Sequence, residues 1–156
     1  MKLIHRRLYQ VLENNMFKGK AIILVGARQV GKSTLFDSVV SGSSNVLRLN
    51  CDNYDDRSDL ENKTSTELRQ LMGNYEVVII DEAQRAKNIG LSLKMLADLK
   101  LPMQILVTGS SSLTLANEIN EPATGRLIEY NLFPLSLVEL MQQTSHVRKN
   151  GCWNNV

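Results

Sequence analysis

Short apolar runs alternate with amphipathic stretches along the chain. Ala21–Val25 is wholly apolar and ends at a glycine, which is the pattern of a buried parallel strand. Further segments fit strands: Val46–Asn50, Val77–Ile80, Met103–Thr108 and Leu127–Leu132. Helical spacing predicts helices over Leu3–Leu12, Ser33–Val40, Thr64–Met72 and Ile89–Leu99. Strands that alternate with helices predict an α/β fold of three layers, in which a five-stranded parallel sheet carries helices on both faces.

Two segments allow finer predictions. Thr64 and Glu67 have the spacing of a capping box at the start of a helix. Residues 52–61 hold four aspartates and one glutamate against Arg57 alone. They lack the glycine and the glutamate that an EF-hand loop needs at its sixth and twelfth positions. We therefore expect a solvated acidic loop rather than a calcium site.

The composition is that of an ordinary globular domain, since 43% of the 156 residues are apolar and 22% are charged. A net charge of +2 does not by itself indicate that the protein binds nucleic acid. The longest apolar runs are far shorter than the ~20 residues that span a bilayer. Cys51 and Cys152 are too few for a disulfide scaffold, so we expect reduced thiols in a cytoplasmic protein. His5 and His146 have no partners at the spacing of a zinc site.

A phosphate-binding loop follows the first strand. The segment GARQVGKS, residues 26–33, matches the pattern G-x-x-x-x-G-K-[ST] between an apolar strand and a helix. Gly26 and Gly31 allow N–H groups to approach phosphate at the positive end of the helix dipole. Lys32 supplies a charge for the β- and γ-phosphates, and the Ser33 hydroxyl is an oxygen ligand for Mg²⁺. The predicted nucleotide-binding residues are Gly26, Ala27, Arg28, Gln29, Val30, Gly31, Lys32, Ser33 and Thr34.

Two acids follow the apolar strand Val77–Ile80. A carboxylate at the C-terminal tip of a strand suits a ligand site in an open α/β sheet. We expect Asp81 to hold Mg²⁺ together with Ser33, directly or through water. Glu82 points differently from its neighbour and is the candidate to orient or deprotonate an attacking water.

Small polar residues end the strand Met103–Thr108. If this strand lies between the strands that precede the phosphate loop and Asp81, then Thr108 and Ser110 lie near the γ-phosphate. Their hydroxyl groups could sense that phosphate or hold the attacking water by hydrogen bonds. An ordinary polar turn after a strand has the same composition, so the residues alone leave both interpretations open.

These segments together resemble a known family. GARQVGKS, VIIDEAQR, LVTGSSS, TGR and LFPLSLVEL, in this order, are similar to bacterial and archaeal AAA-type P-loop ATPases that usually carry a C-terminal domain of unknown function. The resemblance covers about Leu3 to Leu140. It implies a P-loop NTPase core of the AAA+ type that binds ATP and Mg²⁺ and hydrolyses ATP. It also implies that Glu82 acts on water and that Thr108 and Ser110 occupy the sensor position.

The resemblance also bears on Arg126, which matches an arginine of the family just before the last strand. Arg126 could act as a finger on a γ-phosphate, in its own site or across a homo-oligomer contact, or it could pair with an acid such as Glu129. Ala27 stands where the family often has proline. Family members continue into a second domain. We therefore expect an ATPase domain over residues 1–140 and a polar, flexible tail over 141–156.

Other classes of nucleotide-binding protein fit less well. A GTPase would carry N-K-x-D after the acidic strand, whereas Asn62-Lys63 precedes it and lacks the aspartate. A small-molecule kinase would need an acceptor site and an arginine-rich lid. A module that uses ATP as a switch for a protein or DNA partner, with little turnover, stays as the alternative. Basic residues near the N-terminus permit weak contact with a phosphate backbone, although they also suit a solvated helix face: Lys2, Arg6, Arg7, Lys18 and Lys20.

Two further cations lie close to the predicted site. Arg28 is inside the phosphate loop, and Arg85 follows the acidic pair. Either arginine could contact phosphate, or it could balance local acids.

Overall fold

The computed structural model describes residues 4–110 and 126–141. In these ranges the strands are β1 (Ala21–Val25), β2 (Val46–Asn50), β3 (Val77–Asp81), β4 (Gln104–Gly109) and β5 (Leu127–Asn131). The α-helices are α1 (Arg7–Asn15), α2 (Lys32–Val39), α3 (Tyr54–Ser58), α4 (Ser65–Met72) and α5 (Ile89–Asp98). A 3₁₀ turn spans Ala83–Arg85, and residues 137–141 are helical. None of the helices in the described ranges is long and apolar enough to cross a membrane.

The strands form one parallel sheet in the order β2-β3-β4-β1-β5. Strand β4 lies between β1 and β3, which meets the condition that the sequence analysis set for Thr108 and Ser110. It brings three carboxyl ends to one edge. Val25 at the end of β1 is level with Gly109, and Ile80 near the end of β3 is level with Val107. Open α/β sheets bind their ligands at the carboxyl edge of the strands.

Alternate side chains of the central strands enter two separate cores, which confirms the three-layer α/β prediction. Ile23 and Val25 of β1 face a cluster that includes Leu68 of α4 and Leu93 of α5. Ile22 and Leu24 face the opposite core, which includes Leu12 of α1 and Phe36 of α2. Strands β1 and β4 are buried along their whole lengths, so their apolar runs do not alternate with polar residues.

Two predicted elements differ from the structure. The opening helix begins at Arg7 rather than Leu3, because Arg6 is extended and acts as the N-cap residue. It runs on to Asn15, whose side chain donates to the carbonyl oxygen of Val11 at 2.8 Å. The predicted acidic loop contains the short helix α3. The Asn53 side chain caps it by accepting from the backbone N–H of Asp55, and acids in the first turn favour the helix dipole.

The other helices and strands agree with the sequence prediction to within one residue at most ends. Helix α4 has the predicted capping box, because Thr64 Oγ1 accepts from the N–H of Glu67 at 3.3 Å and Glu67 Oε2 accepts from the N–H of Thr64 at 2.8 Å. The predicted tail lies outside the described residues except for Met141, which is helical.

Candidate functional site

The phosphate loop connects the buried strand β1 to the first turn of α2. Its two pattern glycines are needed for different reasons. Gly31 has φ of +92°, a left-handed conformation that side chains disfavour. A Cβ on Gly26 would collide with the backbone carbonyl oxygen of Leu132, which follows β5. Gly26 therefore allows close packing against the end of β5, a reason that the loop pattern alone does not reveal.

Lys32 begins α2 and is buried, with 5% of its surface exposed. Its Nζ donates to the backbone carbonyl oxygens of Gly26 at 3.1 Å and Ala27 at 3.0 Å. These bonds hold the ammonium group across the concave side of the loop. The group can therefore serve phosphate oxygens there without a large movement of the side chain.

The ends of three elements meet at Asp81. Ser33 Oγ on α2 donates to Asp81 Oδ2 at 2.8 Å, and the Thr108 hydroxyl on β4 donates to Asp81 Oδ1. The backbone N–H of Glu82 donates to Asp81 Oδ1 at 3.1 Å and to Thr108 Oγ1 at 3.0 Å. We call Ser33, Asp81, Glu82 and Thr108 the Asp81 cluster. It brings together residues that sequence reasoning had assigned to Mg²⁺, to water activation and to the sensor position.

The donor set suits a magnesium ion. Mg²⁺ prefers octahedral oxygen ligands at ~2.0–2.1 Å, so neighbouring ligands of one ion lie about 3 Å apart. Ser33 Oγ and Asp81 Oδ2 are 2.8 Å apart. Within the described residues no group of three or more His, Cys, Asp or Glu side chains could hold a metal by itself. A magnesium ion would therefore take its other ligands from phosphate and water.

Glu82 has a backbone conformation that is unusual for its residue type. Its φ is +52°, in the left-handed region, and it precedes the 3₁₀ turn Ala83–Arg85. Non-glycine residues with such backbone strain are often found at functional sites. The turn folds Gln84 back so that its Nε2 donates to Glu82 Oε2 at 2.6 Å. Sequence reasoning did not single out Gln84.

The remaining predicted residues lie in several places. Ser110 follows β4, and its backbone N–H donates to Gln84 Oε1 at 3.1 Å. Arg28, Gln29 and Thr34 are exposed on the loop and the first turn of α2. The segment 111–125, including the rest of the serine run and the glycine before Arg126, lies outside the described residues.

Two arginines are paired with acids away from the loop. Arg126 precedes β5, and its backbone carbonyl oxygen accepts from the N–H of Ala21 at the start of β1. It therefore lies at the amino edge of the sheet, opposite to the phosphate loop. Its guanidinium pairs with Asp98 rather than with Glu129. Arg85 pairs with Asp52 at 3.2 Å, so it balances a local acid.

A second polar cluster contacts the phosphate loop at the backbone of Val30. Sequence reasoning did not predict this cluster. Arg6 Nε donates to Glu139 Oε1 at 3.2 Å. The other two guanidinium nitrogens donate to backbone carbonyl oxygens: Nη1 to that of Val30 at 2.9 Å, and Nη2 to that of Phe133. Glu139 also accepts from the N–H of Arg7 at 3.0 Å and from the N–H and Oγ of Ser136 at 2.9 and 3.0 Å. We call Arg6, Ser136 and Glu139 the Arg6 cluster. Ser136 and Glu139 have capping-box spacing, and this spacing is the feature of the sequence that could have indicated the cluster.

One cavity lies next to the Arg6 cluster, and another lies at the opposite edge of the sheet. One of about 320 Å³ lies beside Arg6, between α1 and the segment after β5. A larger one of about 790 Å³ lies at the amino edge of the sheet, next to Arg69 and Pro102. The larger cavity contains none of the predicted site residues, so size alone does not identify the functional site.

Cys51 follows β2 and is fully buried. Burial, followed by the negative charge of Asp56, raises the pKa of the Cys51 thiol to about 12. The thiol is therefore protonated at neutral pH and is a poor nucleophile. Cys152 lies outside the described residues.

The comparisons with known proteins identify a family and a shared fold. A family model described as an AAA domain matches residues 18–141. That range includes the phosphate loop, the Asp81 cluster and Glu139. No curated protein matches the chain.

Solved structures share the fold at low sequence identity. A Walker-type ATPase of Pyrococcus abyssi superposes with a TM-score of 0.62 at 16% identity, over 94% of this chain and 59% of that one. A DNA replication initiation factor gives 0.53 at 13%, over 91% of this chain and 49% of that one. A chain from the structure of Drosophila ORC bound to DNA gives 0.58 at 13%, over 86% and 93%. The chain thus spans about half to three fifths of the first two structures.

Proposed function

The chain belongs to the AAA domain family, and from this premise we propose that it binds ATP with Mg²⁺ and hydrolyses the ATP. One observation carries the proposal. Ser33 Oγ lies 2.8 Å from Asp81 Oδ2, which joins the phosphate loop to the acidic end of β3. A hydroxyl and a carboxylate at this spacing fit two ligands of one magnesium ion beside bound phosphates.

Each residue of the site has a proposed role. Lys32 and the backbone N–H groups of the loop bind phosphate oxygens, and Ser33 with Asp81 holds Mg²⁺. When bound, Mg²⁺ neutralises charge that develops on the phosphates. Glu82 accepts a proton from the attacking water or orients it. Thr108 donates to the Asp81 carboxylate and accepts from the backbone N–H of Glu82, so β4 positions both acids.

Nucleotide binding is tested with Lys32→Ala. We expect the variant to bind a fluorescent ATP analogue at least about tenfold more weakly, because it loses charged hydrogen bonds to phosphate. Lys18→Ala, an exposed lysine before β1, is the matched control and should bind like the wild type. An unchanged affinity in Lys32→Ala would refute the assignment of the loop.

Hydrolysis is tested with Glu82→Gln. The amide cannot accept the proton of the water, so we expect turnover to fall by about 10²–10⁴-fold while ATP still binds. Equal turnover in the wild type and in Glu82→Gln, with binding intact, would instead support the alternative of an ATP-dependent switch with little turnover.

Two arginines, Arg6 and Arg126, bear on partner binding and assembly. The ORC structure, which is similar in fold, contains bound DNA. In this chain Arg6 is paired with Glu139 and is not available to a phosphate backbone. A finger role for Arg126 requires a second copy, because its own loop is at the other edge of the sheet. Light scattering with and without ATP tests this, and a monomer in both conditions would remove the finger role.

A further inference from the structure

Gln84 links the residues that follow two strands of the candidate site, β3 and β4. Its Nε2 donates to Glu82 Oε2 at 2.6 Å, and its Oε1 accepts from the backbone N–H of Ser110 at 3.1 Å. Both ends of the amide are therefore engaged, one by the acid after β3 and the other by the residue after β4. The side chain is half-buried.

The bond from Ser110 decides which way the amide faces. A backbone N–H can only donate, so it must meet the oxygen of the Gln84 amide. The NH₂ group is then turned towards Glu82, where a carboxylate can only accept. The pair of bonds is thus self-consistent, and β4 determines the direction of the donor that reaches Glu82.

The backbone supports the same arrangement. Glu82 has φ of +52°, and the 3₁₀ turn that follows it is closed by the N–H of Arg85 donating to the carbonyl oxygen of Glu82 at 2.9 Å. Ala83, between the two side chains, is fully buried and anchors the turn. The short turn places Gln84 next to the carboxylate without a long loop.

We propose that Gln84 is a positioning residue that holds the Glu82 carboxylate by one oxygen and leaves the other oxygen for the attacking water. The proposal rests on the proposed role of Glu82 in hydrolysis. A glutamate side chain has several rotatable bonds, and a general base must lie within hydrogen-bond reach of its proton. Through Thr108 and Ser110, β4 then holds both the backbone and the side chain of Glu82.

The experiment compares Gln84→Ala and Gln84→Glu with the wild type in steady-state ATP turnover. Gln84→Ala loses both bonds, whereas Gln84→Glu can still accept from Ser110 but offers no donor to Glu82. We expect both to lower kcat, by up to about 100-fold, with KM and ATP affinity within about twofold of the wild type. Gln70→Ala, an exposed glutamine on α4, is the matched control and should keep full turnover.

A second comparison separates positioning from a general structural role. In a Glu82→Gln background, the further change Gln84→Ala should have no additional effect, since the group it positions is no longer a base. A further fall in that background, a raised KM, or unchanged kcat in Gln84→Ala would overturn the role of Gln84. A wild type no faster than Glu82→Gln would overturn hydrolysis itself and the role of Gln84 with it.

Discussion

The Asp81 cluster and the Arg6 cluster lie on either side of the phosphate loop, yet they differ in charge balance. In the Arg6 cluster a buried guanidinium meets a buried carboxylate, with 11% and 8% of the side chains exposed. In the Asp81 cluster, two carboxylates are held by hydroxyl, amide and backbone N–H groups. The neighbouring cation, Lys32, donates to backbone carbonyl oxygens instead.

This difference distinguishes a structural cluster from the proposed ligand site. Charges that are paired inside the protein leave little for a ligand to neutralise, and the removal of one partner from such a buried pair is strongly destabilising. Two acids beside a lysine that does not neutralise them favour a cation that arrives with the ligand. Variants in the two clusters should therefore have opposite effects on turnover and on stability.

A change at Asp81 should have the greatest effect, and this effect is on ATP turnover. Asp81→Asn should lower Mg²⁺-dependent ATP turnover by about 10³-fold, because metal charge stabilisation contributes several kcal/mol. It should leave the free energy of unfolding within about 0.5 kcal/mol, since it removes one of two neighbouring negative charges. Turnover and urea denaturation measure the two effects. A large loss of stability would mean that the Asp81 cluster is also structural.

Arg6→Ala should have the reverse profile. Removal of the guanidinium leaves the buried Glu139 carboxylate without its cation, although Arg7 and Ser136 still donate to it. The loss of unfolding free energy should therefore reach at most about 3–5 kcal/mol. Arg7→Ala, whose exposed side chain is adjacent in sequence, is the control and should change stability by less than about 0.5 kcal/mol. In a double-mutant cycle with Glu139→Ala, additive losses would argue against a coupled pair.

The Arg6 cluster should also give stability a dependence on pH. Burial would raise the pKa of Glu139, but hydrogen bonds from Ser136 and Arg7 and the charge of Arg6 outweigh it and lower the pKa from 4.5 to about 2. A depressed pKa stabilises the fold above pH 4.5, and this contribution is lost as the pH falls towards 2. Urea midpoints between pH 6 and pH 3 should therefore fall more steeply in the wild type than in Glu139→Gln. Parallel curves would contradict this.

The smallest effect concerns the helical residues 137–141. Ser136 Oγ accepts from the N–H of Glu139 at 3.3 Å and donates to its carboxylate. Ser136→Ala should lower the unfolding free energy by about 1 kcal/mol, as for other N-cap residues. Ser136→Thr keeps the hydroxyl and should restore most of this. Equal stability in Ser136→Ala and wild type would show that the Ser136 hydroxyl adds nothing to the bonds that Glu139 accepts from Arg6 and from the backbone N–H groups of Arg7 and Ser136.

The local parts of the fold were predictable because short patterns encode them. Strand β2 has the predicted bounds, and the capping box of α4 was visible as Thr64 and Glu67. Helix α3 was not predicted, because five residues carry too little apolar periodicity and its stability comes from the cap at Asn53. Helix α1 begins later than its apolar spacing predicted, at a residue that follows Arg6, whose partner Glu139 lies near the far end of the described chain.

The phosphate loop and the strand that carries Asp81 could be recognised from sequence, since a loop flanked by a buried strand and a helix is a local pattern. Which side chains share a site depends on how the strands are arranged in the sheet. The tertiary structure brought Ser33 to Asp81 through the position of β4, turned Gln84 onto Glu82, and placed Arg126 at the opposite edge. The reason is that hydrogen bonds and ion pairs act over a few ångströms, whereas residues as far apart in sequence as Arg6 and Glu139 meet only when the sheet and its two cores have formed.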